Sequence, residues 1–354
     1  MKHLVIAFIL LQMTFPSFCQ WHNDFLSQHN YESKALRKNP SKKWVFEAKG
    51  KVFGPALRED NSLFFGDIAG YLYSINAENG KLNWKFRTNG KVLSCPSIKD
   101  TLAYFGSYDG YLYCLGVKSG HLVWKYKTGS GASCSPPLVK NGKVYFGSHD
   151  DYFYVTDRLN GKLIAKKKLG HGNCTTTSFE NNLLYLADWG GNVHCLNAES
   201  LESKWKFQTD NKVYQTPTLD TDQVLIPSFD STVYALDKIS GKINWKMDLN
   251  SVAVQIGIKG DIAFFNTRSS NLYALNKNSG DLLWKFETEG TTWGFAILAE
   301  DIIYFGSGDN KLYAIGLKSG NKLWEFVVDQ DVQRPSIYKG VVYFPSGKHL
   351  YALH

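Results

Sequence analysis

The chain has 354 residues, 44% hydrophobic and 15% aromatic, with 31 Gly and only 3 Met. That is too apolar for a disordered chain and leans toward strands over helices. The net charge of +8 is scattered over turn lysines, with Lys166-Lys167-Lys168 the densest run; nucleic-acid binding would gather it into a stripe, so no nucleic-acid partner is expected.

Residues 1–19, "MKHLVIAFILLQMTFPSFC", set a Lys at position 2 before an apolar run from Leu4 to Leu11 and end in small or turn-prone residues. This is the pattern of a secretory signal peptide, and the run is too short to span a bilayer. Two readings of its end stay open. Cleavage after Cys19 leaves Gln20 first; alternatively Cys19 carries a lipid anchor, although Phe18 stands where lipoprotein signals want a small residue. No later stretch has the length and apolarity of a transmembrane segment. The expectation is an exported protein, periplasmic or extracellular, free or tethered at the outer membrane. Residues 20–41 read as a polar arm.

From residue 42 the chain repeats itself. "YSINAENGKLNWKF" (73–86) returns as "YCLGVKSGHLVWKY" (113–126), "YALDKISGKINWKM" (234–247), "YALNKNSGDLLWKF" (273–286) and "YAIGLKSGNKLWEF" (313–326). Trp44, Trp84, Trp124, Trp205, Trp245, Trp284 and Trp324 mark a period of about 40 residues once Ala165 fills one gap. One further copy, "HCLNAESLESKWKF" (194–207), has Leu201 in place of the turn glycine. Upstream of each phrase lies a Gly/Asp/Ser turn such as "FGSYDG" (105–110), and before that a segment such as "KVLSCPSI" (91–98) or "KVYQTPTL" (212–219). Each unit therefore holds four short strands and no helix.

Four strands per unit around a ring predict a single all-β, eight-bladed β-propeller over 42–354. Its last copy, "HLYALH", stops before a fourth strand, while "KKWVFEA" (42–48) has no strands before it. The N-terminal strand is expected to complete the last blade and remove the open edges. The turn glycines supply positive φ, and the tryptophans are expected to dock between blades. Ala165 predicts a looser joint unless neighbours refill it.

These phrases, with a Tyr-Ala-Leu-Asp type lead, a Ser-Gly turn and a following Trp, resemble the repeats named for pyrroloquinoline quinone (PQQ) enzymes. The resemblance implies two alternatives. One is the PQQ-dependent alcohol and sugar dehydrogenases, which hold calcium beside the quinone. The other is a set of non-enzymatic propellers, including the BamB-like subunit of outer-membrane protein assembly. The enzymes' adjacent Cys-Cys pair and long inserted loops have no counterpart here. The expectation is therefore a binding scaffold of the cell envelope with no catalytic residue, metal or cofactor. Its partner would be an envelope protein segment or peptide, with a glycan as the alternative.

One position of the second-to-third-strand turns carries the candidate binding face. Read around the ring it is Ile68, Tyr108, His149, Trp189, Phe229, Arg268, Gly308 and Gly347. Aromatic rings at turn tips and an arginine suit a partner surface; rings folded back on neighbouring loops are the alternative. Trp293 and Arg334 in inner segments are placed at the funnel mouth, Arg334 suiting an anionic group. Cys114 and Cys195 fill a slot that is Ala elsewhere and read as core. Cys95, Cys134 and Cys174 fall in successive inner segments, where two could pair. His149-Asp150-Asp151 reads as a solvated turn, and His171 and His194 have no partner visible in sequence.

Overall fold

A computed structural model describes residues 30–31, 33–38, 40–131, 136–173, 175–292 and 294–354. Residues 1–19, and with them Cys19, lie outside the described residues, as do Cys134, Cys174 and Trp293. Among the described residues there is no helix; they form eight four-stranded antiparallel sheets, seven of consecutive strands and one joining the N-terminal strand to the last three, and one of the seven gains a fifth strand. The molecule is an eight-bladed propeller.

Blade one shows the pattern, with strands Leu57–Glu59, Ser62–Gly66, Tyr71–Asn76 and Leu82–Arg87. The two middle strands are almost wholly buried because neighbouring blades cover both faces, which is why their sequences are unbroken apolar runs. The fourth strand, on the circumference, alternates between exposed and half-buried residues.

The ring closes as its two incomplete ends require. Lys42–Glu47 pairs antiparallel with His349–Leu353, placing Trp44 opposite Ala352. The pairing joins the N-terminal strand to Ser336–Tyr338 and Val341–Ser346 as blade eight. Hydroxyls of the inner segments tie successive blades: Ser178 Oγ donates to Pro217 O at 2.6 Å, Thr218 Oγ1 to Ile256 O at 2.9 Å, and Ser336 Oγ to Ala56 O at 2.7 Å across the closing seam.

At every joint but the one at Ala165 an indole lies against the neighbouring segment. Trp84 Nε1 donates to Val117 O at 2.9 Å, and Trp44, Trp124, Trp205, Trp245 and Trp284 make the equivalent bond. The turn glycine beneath has two reasons to be glycine. Gly120 has φ +68°, and a Cβ there would sit 2.6 Å from Trp84 Cδ2.

Two places depart from the plain repeat. Ala165 does not leave a loose joint, because Leu201 of the next blade is buried against it. The arm is also more than a leader. Residues 33–38 occupy the place of the turn that blade eight lacks, and Leu36 O accepts from both Trp324 Nε1 (2.9 Å) and Tyr304 Oη (3.0 Å). Upstream, Asn30–Tyr31 adds a parallel strand to Ile297–Ala299, the inner edge of blade seven.

Candidate functional site

One face of the ring is built from the second-to-third-strand turns and the connections entering each blade. Two sets of bonds hold the turn tips, the first general and the second confined to some blades. The tip's backbone N–H donates to the entering connection: Tyr108 N to Lys91 O, His149 N to Gly131 O, Trp189 N to Gly172 O, Phe229 N to Lys212 O and Arg268 N to Val252 O, all at 2.9–3.0 Å. In four of the eight tips the next residue is an aspartate. Asp109 accepts from Asn89 N (3.0 Å) and from Tyr113 Oη (2.7 Å), and Asp150 and Asp230 repeat the arrangement with Tyr154 and Tyr234. The recurring Tyr of the third strand is thus the anchor of the turn before it.

Blade four modifies this lock. His194 replaces the tyrosine, and its Nε2 lies 3.0 Å from Asp188 Oδ2. Asn192 bonds both carboxylate oxygens, at 3.0 and 2.9 Å. Burial alone would raise the Asp188 pKa, but the His194 and Asn192 bonds outweigh it and hold the carboxyl below its ordinary value. His194 is therefore a structural partner of Asp188. His171 packs beside Gly190, where a Cβ would meet its ring at 2.1 Å.

Held this way, the tips form a continuous line of rings across five blades. Tyr108 meets His149 edge-on at 5.1 Å, and His149 meets Trp189 at 4.8 Å. Trp189 then meets Tyr214 at 5.3 Å, and Tyr214 meets Phe229 at 4.6 Å. The Arg268 guanidinium closes the line 4.3 Å above the Phe229 ring. Tyr108 is 39% exposed; His149, Trp189, Tyr214, Phe229 and Arg268 are half-buried. The rings thus both pack on one another and reach solvent. Ile68 is exposed one blade before the line begins.

Sequence reasoning missed Tyr214. The signal was present: in "KVYQTPTL" it stands where "KVLSCPSI" has Leu93. As one residue of the segment that opens its unit, it was not singled out.

Arg334 stacks at 4.1 Å on Phe295, a second residue not singled out from sequence. Cys95 is a free, buried thiol whose pKa burial pushes up to about 12, so it stays protonated and inert. Cys114 and Cys195 are buried and free. Among the described residues no group of three or more His, Cys, Asp or Glu side chains is placed to hold a metal ion.

In sequence, no curated protein matches the chain. In structure it is similar to BamB from Moraxella catarrhalis, with TM-score 0.78 and 13% identity over 89% of this chain and 100% of that one. It is also similar to the computationally designed Ika8 protein (TM-score 0.79, 14% identity, 88% of this chain and 98% of that one). The quinohemoprotein alcohol dehydrogenase of Comamonas testosteroni is similar as well, with TM-score 0.79 and 13% identity over 91% of this chain and 78% of that one. At such identities these likenesses establish the fold alone. A family model described as outer membrane protein assembly factor BamB matches residues 26–180, 154–285 and 268–354, and the chain belongs to that family of PQQ-repeat propellers.

Proposed function

We propose that the protein is an exported, non-enzymatic scaffold of outer-membrane protein assembly. In this reading it docks a segment of an envelope protein on the aromatic line from Tyr108 to Arg268 and works without a bound quinone or metal. The observation that carries the reading is the continuity of that line. Six side chains from five blades touch in sequence, and every tip is fixed by a backbone bond, with aspartate bonds added in the turns of Tyr108, His149, Trp189 and Phe229. Rigid aromatic area with an arginine at one end is the composition of an interface anchor. Trp189 adds a specific feature: its Nε1 is buried without a hydrogen-bond acceptor among the described residues. A small local rearrangement would present that donor to a docked backbone carbonyl.

The test is affinity purification of the full chain and of Trp189→Ala from native envelopes, with the captured proteins identified by mass spectrometry. The expected result is an envelope protein retained by the parent and lost from Trp189→Ala, with the variant still folded. Equal capture by both would remove the line from the function. Uptake of PQQ with calcium and dye-linked alcohol oxidation would overturn the non-enzymatic reading altogether.

A further inference from the structure

The opposite face of the ring carries a second surface that the docking line does not use. It is built from the turns between third and fourth strands and the first residues of the outer strands. Among the described residues, sixteen large apolar side chains are exposed, and eleven of them lie in these turns or in the first two outer-strand positions. That concentration separates the rim from the scattered apolar residues any surface shows.

The local geometry explains the exposure. A register shift between Leu122 and Trp124 places a bulge at the start of the outer strand. Trp124 takes the inward side, while Leu122 and Val123 are 45% and 50% exposed. The next blade repeats this with Leu163 and Ile164, and its turn tip, Leu159, is 60% exposed. Two blades further, Ile239 is 88% exposed at the equivalent tip region.

Lysines alternate with these residues. Lys118, Lys162 and Lys318 stand exposed in the same turns. A different set serves the fold: Lys238 pairs with Glu180 and Lys277 with Asp220, neutralising the acidic hairpins nearer the axis. The docking face has the opposite character, with Asp109, Asp150, Asp230 and Asp309 at its tips. Equivalent positions in a ring are related by rotation about its axis, so the rim is close to planar. A globular partner would meet a few of these turns, whereas a flat, negatively charged one meets them together.

We propose that this rim rests on an anionic phospholipid bilayer. The exposed Leu, Ile and Val side chains enter the headgroup boundary, and the turn lysines pair with lipid phosphates. The docking face is thereby turned away from the membrane. The proposal stands on the rim alone and is independent of which protein occupies the other face.

Cosedimentation of the full chain with vesicles tests it. One set of vesicles is phosphatidylcholine; the other contains phosphatidylglycerol as well. The parent is expected to sediment with the second set only, and less at high salt. Replacing Leu122, Val123, Leu163 and Ile164 together by Ser is expected to raise the lipid concentration for half-binding at least tenfold. Lys118→Glu with Lys162→Glu, which leaves the apolar residues in place, is expected to raise it by at least about fivefold per lysine. Both variants should keep the parent's melting temperature, since the substituted side chains are exposed. A parent that ignores phosphatidylglycerol vesicles would overturn the proposal. So would variants that bind like the parent, which would place binding outside the rim. A parent dimer that the serine variant converts to monomer, seen by sedimentation velocity, would make the rim a contact between copies and overturn it as well.

Discussion

Ala165 and Leu201 face each other across the joint between blades three and four, where six other joints set a tryptophan on a turn glycine. Each looks like a defect when its repeat is read alone. Together they are one exchange: bulk moves from the outer strand of one blade to the turn of the next. Leu201 keeps the left-handed backbone of the glycines it replaces, with φ +57°, and is 4% exposed. The strain of a branched residue there is the cost of filling the space the indole left.

This relationship makes a prediction about coupling. Ala165→Trp alone drives an indole into Leu201 and should destabilise by about 1–3 kcal/mol. Leu201→Gly alone leaves a cavity, offset in part by relieved strain, and should cost about 2–4 kcal/mol. The double variant rebuilds the common joint and should return close to the parent. Thermal unfolding of the four proteins measures the coupling; additive losses would show that the two sites act separately.

Glu59 gives a prediction with a defined sign. It ends the inner strand of blade one, paired with Ser62. Burial, with Asp60 adding like charge, pushes its pKa up to about 7. The folded chain therefore holds a proton that the unfolded chain releases near pH 4.5. The stability due to that proton is present below the unfolded value and is lost as pH rises through about 7. Glu59→Gln removes the penalty. Because the side chain is only partly buried, the gain should be about 1–2 kcal/mol at pH 8 and vanish by pH 4. Melting temperatures of both proteins across this range are the measurement, and a gain independent of pH would exclude the carboxyl as its source.

The fold was legible because repetition multiplies a weak signal. A single "GKLNW" says little, but seven tryptophans about 40 residues apart fix unit length, strand count and closure. The turn-tip residues could be aligned for the same reason, so their presence on one face followed from the ring. What the repeat does not encode is contact between units. The pairing of Ala165 with Leu201 crosses a blade boundary, and the position of Tyr214 on the docking face depends on how an inner segment bends before it becomes a strand. Leu36 belongs to no repeat at all, so no periodicity could assign it the role of the missing turn.

That role can be tested against the closing strand itself. Leu36 O receives Trp324 Nε1 and Tyr304 Oη, while Arg37 beside it meets Glu300 (2.5 Å) and Asp301 (2.8 Å) in the open. The part-buried bonds and the exposed ion pairs should differ in worth. Tyr304→Phe removes one donor to a carbonyl in a part-buried site and should cost about 0.5–1.5 kcal/mol. Arg37→Ala should change stability by less than about 1 kcal/mol, and less still in high salt. Deleting 42–48 removes the fourth strand of blade eight, leaves two sheet edges open and should lower the melting temperature far more than either. Hydrogen exchange localises the effect: in Tyr304→Phe, protection should fall first along Lys42–Glu47 and His349–Leu353, whose pairing the arm leads into. Protection lost evenly around the ring would instead mean that the arm adds general stability and does not specifically hold the seam shut.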